Sequence, residues 1–73
     1  MPRLDGTQLR IHRTSRGWTQ SDLADQLRTR GVKASAIRVG AWESEREEPW
    51  QTALWALADV FGVEPETLVK KRR

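Results

Sequence analysis

The chain has 73 residues, a net charge of +3 and no cysteine. A domain of that size buries only about 60% of its unfolded surface, so its stability needs a compact helical core or dimerisation. Without cysteine there are no disulfides, thiolate metal sites or thiol nucleophiles. The opening MPRLDGTQLR has no apolar run behind a basic end and does not read as a signal peptide. No apolar stretch approaches the roughly 18 residues of a membrane span. A soluble, cytoplasmic domain is the expectation.

Charge is unevenly placed. Residues 1–42 carry eight Lys/Arg against Asp5, Asp22 and Asp25, a net of +5, whereas residues 43–69 carry Arg46 against seven acids, a net of −6. Lys70, Lys71, Arg72 and Arg73 form a basic tail, expected to be disordered. A basic first half on so small a domain suits a polyanion, nucleic acid above all, but equally suits a solvated surface.

Five helical segments can be read in order, with no strand alternation and no repeat. The first opens at Asp5, with Gln8 at capping-box spacing, and stops at Gly17; Leu9 and Ile11 give it a thin apolar side. The second opens at Thr19, carries Leu23, Ala24 and Leu27 on one face, and ends near Gly31. The third opens at Ser35 and sets Val39 and Trp42 on one stripe. The fourth follows Pro49, with Trp50, Leu54, Leu57, Ala58 and Phe61 at helical spacing as far as Gly62. The fifth is short, from Pro65 to about Lys70, with Leu68 inward. Connections of about two to six residues suit a compact bundle.

No catalytic set emerges. His12 is the sole histidine and lies beside Arg13 on a basic helix, a surface position more than a general base. The acids of ESEREE (43–48) read as a solvated loop beside Arg46 rather than as metal ligands. The five glycines are scattered and make no phosphate cradle. Neither an enzyme nor a cofactor is expected.

The stretch LRIHRTSRGWTQSDLADQL (9–27) resembles the opening of the Cro/repressor-like, or XRE, helix-turn-helix family through Leu9, Arg13, Gly17, Thr19-Gln20 and Leu23-Ala24. VGAWES (39–44) looks like that family's close of the recognition helix. PWQTALWALADVFGVEPETL (49–68) is similar to its fourth and fifth helices. Each piece is weak alone; three in order, covering residues 4 to 69, make a strong signal. The resemblance implies an all-α, compact five-helix, lambda-repressor-like domain over residues 1–69, with a lengthened turn before the recognition helix. It also implies an ion pair between Arg13 and Glu43, whose plain alternative is two unrelated surface charges.

Two departures from the family pattern stand out. From Gln20 to Glu43 the chain advances 23 positions, about five more than a minimal motif needs. The excess falls in RTRGVKA (28–34), read as a lengthened end of the second helix plus a longer turn. Anchoring the third helix on Trp42-Glu43 buries Val39; anchoring it on Gly31-Val32 would bury Ile37 instead. The first register is preferred because it also buries Trp42. Glu45 replaces the glycine usual after the third helix, so that loop is expected to take a different course.

In the preferred register the outward side of the third helix, residues 35–44, carries the base-reading candidates Ser35, Ala36, Ile37, Arg38 and Ala41. Arg38 would pair with guanine, and the apolar residues would lie against thymine methyls. Phosphate contacts are expected from Gln20, Ser21, Arg28, Arg30, Lys33, Ser44 and Arg46. Trp55 lies off the core stripe and is a candidate dimer contact, or a partly buried ring. The reading that follows is a double-stranded-DNA-binding transcriptional regulator, a repressor, acting as a homodimer in a bacterial or phage setting, with no membrane or small-molecule partner. The rival is a helix-turn-helix domain turned to protein interaction, as in an antitoxin or antirepressor pair. The thin reading face and the acids after the helix favour that rival.

Overall fold

The computed structural model describes residues 3–71. Four α-helices run in order, α1 (Gly6–Thr14), α2 (Gln20–Arg28), α3 (Ala36–Glu43) and α4 (Gln51–Phe61), and a 3-10 turn, Pro65–Leu68, follows. The domain is all-helical, as expected, but the fifth segment is that single 3-10 turn and not an α-helix. Its continuation is pulled away: Val69 returns to extended backbone and forms an isolated antiparallel bridge with Leu4. Asp5 N–H donates to the Leu68 carbonyl at 2.8 Å and Lys70 N–H to the Arg3 carbonyl at 2.7 Å. Lys70 therefore belongs to the folded domain, not to the tail expected at 70–73; Arg72 and Arg73 of that tail lie outside the described residues. No helix among the described residues is long and apolar enough to cross a membrane.

Side-chain caps fix the starts of α1, α2 and α3, whereas α4 opens behind Trp50 without one. Asp5 accepts from the amides of Thr7 and Gln8, and Ser35 from that of Arg38. Thr19 and Asp22 form a reciprocal capping box at the head of α2.

The helix ends share one device. A residue in left-handed backbone follows each α-helix: Gly17, Gly31, Glu45 and Gly62, at φ of 71°, 83°, 62° and 69°. The next amide then reaches back five residues: Trp18 to Arg13, Val32 to Leu27, Arg46 to Ala41 and Val63 to Ala58. These are Schellman closures, which satisfy carbonyls that the helix end leaves open. The closure at Gly31 stops α2 at Arg28, so α2 is not lengthened, and all the extra chain lies in the connection 29–35. That connection is tightly held. Val32 and Ala34 are buried, and the Arg28 guanidinium donates to the Ala34 carbonyl at 2.7 Å.

Glu45 overturns the expectation of a different loop course. It takes the left-handed position that glycine fills elsewhere, although a Cβ there is unfavourable. The compensation comes from its carboxylate, which accepts from Gly6 N–H at 3.0 Å and lies 2.6 Å from Lys70 Nζ.

The core gathers Leu9, Leu23, Leu27, Val39, Trp42, Leu57 and Leu68, all fully buried. At ~1.5–3 kcal/mol for each large apolar side chain removed from water, these residues supply most of the driving force. The preferred register of α3 holds: Val39 and Trp42 face inward and Ile37 is 83% exposed. Details of the apolar stripes differ from expectation. Ile11 is exposed, as is Trp50, which precedes α4, and on α4 Ala53 takes the fully buried place while Leu54 is half-buried. His12 is half-buried rather than on the open surface, stacked on Phe61 at 5.3 Å between centroids.

Gly6 lets the start of α1 meet the end of α3. A Cβ at this position would collide with the Glu43 carbonyl group, which is backbone and cannot swing aside. Gly6→Ala should therefore cost at least about 1–3 kcal/mol, the usual cost of overpacking. Urea unfolding measures it, and an unchanged midpoint would contradict this contact.

Candidate nucleic-acid interface

The residues expected to meet DNA lie mostly on α2, α3 and the connection between them. The Thr19–Asp22 capping box sets the first turn of α2, and Gln20 occupies its first position. The Gln20 side-chain amide lies over Gly40 of α3, where an added Cβ would sit 3.2 Å from its nitrogen. It also donates to the Glu43 carboxylate at 3.3 Å. Gln20 thus bridges the two helices; in the first turn of α2 the Asp22 amide donates to Thr19 Oγ1, while those of Gln20 and Ser21 have no intrahelical partner.

Glu43 is the electrostatic centre of the domain. It is 7% exposed yet charged, and Arg13 answers it with two bonds, Nε at 2.5 Å and Nη2 at 3.1 Å. Arg13 Nη1 also donates to the Trp18 carbonyl at 2.7 Å, and Arg10 stands 3.5 Å from the same carboxylate. Burial by itself would push the Glu43 carboxyl up. The hydrogen bonds from Arg13 and Gln20, the Arg13 charge and Arg10 outweigh it and hold the group below its ordinary range. The pair expected between Arg13 and Glu43 is present; Arg10 had given no signal beyond its place one helical turn earlier.

The front of α3 is narrower than expected. Ile37 and Arg38 are exposed, Ser35 is exposed as the N-cap, and Ala36 is half-buried. Ala41 is buried and leaves the reading face: the chain after α3 folds over it, with the amides of Arg46 and Glu47 donating to its carbonyl. Arg38 is itself engaged. Its Nη1 lies 3.8 Å from the Glu47 carboxylate and its Cζ 5.8 Å from the centre of the Trp50 ring.

The expected phosphate donors divide into two groups. Ser21 and Lys33 are exposed, and Lys33 has no salt bridge among the described residues. Arg46 Nε donates to Ser44 Oγ at 2.9 Å, both residues being exposed just past α3. Arg28 and Arg30 have internal work. Arg28 braces the long turn and pairs with Asp25, and Arg30 reaches α4 through Asp59 at 2.8 Å. Trp55 is 53% exposed on α4.

The acids of 43–48 are not the solvated loop that their run suggests. Glu43 is the buried hub. Glu45 holds Gly6 and Lys70, and Glu48 accepts from Leu4 N–H at 2.9 Å with Arg3 3.7 Å away. Lys70 and then Gly6 hold the Glu45 carboxyl below its ordinary range against slight burial. Among the described residues, no group of three or more His, Asp or Glu side chains could hold a metal ion.

A family model described as helix-turn-helix matches residues 9–68. The comparisons with curated proteins and with solved structures find no match.

Replacing Glu43 by Gln strands the Arg13 guanidinium in a nearly buried site and should cost about 3 kcal/mol in chemical denaturation. Because Glu43 and Glu45 both titrate below their ordinary range when folded, their contribution is whole above about pH 4.3. It is lost as pH falls through the folded values, since protons then bind the unfolded chain more readily. Stability should therefore decline on acidification below that range, and less steeply in Glu43→Gln. Parallel acid curves for the two proteins would contradict this assignment.

Proposed function

The chain belongs to the Cro/repressor-like helix-turn-helix family of DNA-binding regulators, and from that premise we propose a sequence-specific transcriptional repressor that lays α3 in the major groove. The observation that carries this reading is the two-sidedness of α3. Val39, Trp42 and Glu43 anchor its back, and Ile37 and Arg38 are exposed at its front. A guanidinium in the major groove pairs best with the O6 and N7 acceptors of guanine, and Ile37 suits a thymine methyl. Ser35 and Ala36 flank them at the entry of the helix. So small a set of base contacts leaves part of the discrimination to DNA shape.

Phosphate contacts come from the open amides at the head of α2 with Gln20 and Ser21, from Lys33 in the long turn, and from Ser44 and Arg46 past α3. Arg28 and Arg30 contribute with the guanidinium donors that their internal bonds leave over. The protein acts as a homodimer on half-sites one helical turn apart, about 34 Å, with Trp55 as an aromatic anchor between subunits. It works in the cytoplasm as a binding protein without cofactor or catalysis.

A second reading, a protein-interaction module of the antitoxin or antirepressor type, draws support from Ile37, which is as exposed as a protein contact would need. Salt dependence separates the two. Several phosphate contacts give a log–log slope of about −0.9 for each, whereas weak electrostatic adhesion gives a shallow one.

Selection from random duplex DNA should yield one preferred, two-fold site. On that site Arg38→Ala should lose about 1–3 kcal/mol and relax the preference at one base pair, while Ser21→Ala weakens selected and random duplexes alike. Recovery of no preferred sequence, with a shallow slope, would overturn this function in favour of protein interaction.

A further inference from the structure

We infer that Glu47 and Trp50, both outside the recognition helix, set the sequence discrimination of this domain by holding the Arg38 guanidinium. The inference rests on the DNA-reading function proposed above and adds two positioning residues to it.

Each partner of Arg38 is tied to the domain at one point. The Glu47 amide donates to the Ala41 carbonyl at 3.4 Å, which ties Glu47 to the end of the helix that carries Arg38. Trp50 stands edge-on against the fully buried Trp42, with ring centroids 5.9 Å apart and planes at 75°. Its other side is open, 41% of the residue being exposed, and the Arg38 Cζ lies 5.8 Å from its ring. The arginine therefore projects from α3 between a carboxylate and an aromatic ring, and neither belongs to the helix.

Two consequences follow for discrimination. Contact with the ring confines a side chain that is otherwise rich in rotamers, so less freedom is lost when it meets a base. The carboxylate acts in the opposite sense. It offers Arg38 a partner that any DNA acceptor must displace, and it adds a negative charge that phosphates repel. A guanine replaces that partner with two parallel hydrogen bonds, whereas a single phosphate or a wrong base edge offers less. Glu47 thus weakens indiscriminate binding more than it weakens correct binding.

The test measures affinity for a selected site and for random duplex, across a salt series, on wild-type protein, Glu47→Gln, Trp50→Leu, and each of these combined with Arg38→Ala. Glu47→Gln keeps the shape and removes the charge. It should raise affinity for random duplex by about fivefold, the upper range for an exposed ion pair, and lower the selected-to-random ratio accordingly. The freed arginine should also steepen the random-duplex salt slope by about 0.9, one further phosphate. Trp50→Leu keeps an apolar cover on Trp42 and should lower the ratio through weaker binding of the selected site. On the Arg38→Ala background neither change should alter the ratio.

If wild type selects a site but Glu47→Gln leaves ratio and slope unchanged, this inference falls and the DNA-reading function stands. An equal loss of ratio without Arg38 would also overturn it, since the effect would then bypass the guanidinium. A wild-type protein with no preferred site would overturn the DNA-reading function and this inference with it.

Discussion

A buried carboxylate that must not be left alone organises this domain. Glu43 ends α3, and its oxygens meet Arg13 and Arg10 of α1 and Gln20 of α2. A charge removed from water is tolerated only when its lone pairs are answered, so three helices are bound to one another at a single point. That point also fixes the rotation of α3. With Glu43 turned inward, Trp42 and Val39 fall into the core, and Ile37 and Arg38 are turned out. The close approach that Gly6 permits follows from the same convergence of α1 on the end of α3.

The acidic run after α3 at first sight conflicts with the proposal that this helix faces a polyanion. Its glutamates are individually committed. Glu43 is inside, Glu45 and Glu48 take amides near the first residues of the domain, and Glu47 stands by Arg38. Two of them act on chain ends that lie together: Leu4 bridges Val69, and Glu45 reaches both Gly6 and Lys70. In a chain of 73 residues, whose apolar core is small, this clasp adds long-range closure that helix packing alone would not supply.

What could be read from the sequence was local or periodic. Asp5, Thr19 and Ser35 act as caps because a short polar side chain before a helix has one obvious use. The Trp42-Glu43 anchor gave the register of α3 because one choice buried two large side chains and the other one. The Arg13–Glu43 pair came through the family resemblance, since two charges 30 positions apart carry no signal of their own. What could not be read depended on distant partners. Glu45 sits in left-handed backbone because Gly6 and Lys70 hold its carboxylate, 39 and 25 positions away. Ala41 seemed outward by helical phase, but the chain that covers it lies beyond the helix. Arg28 and Arg30 looked like free cations until the fold supplied Ala34 and Asp59 as acceptors.

In the proposed function the front of α3, not the α4 face around Trp55, meets the duplex. Amide and guanidinium NMR shifts recorded while a selected duplex is titrated into labelled protein test this most directly. The largest shifts are expected at Ile37, the Arg38 side chain and the first turn of α2, with Val39 and Trp42 little moved. Shifts confined to α4, with Arg38 unaffected, would contradict it.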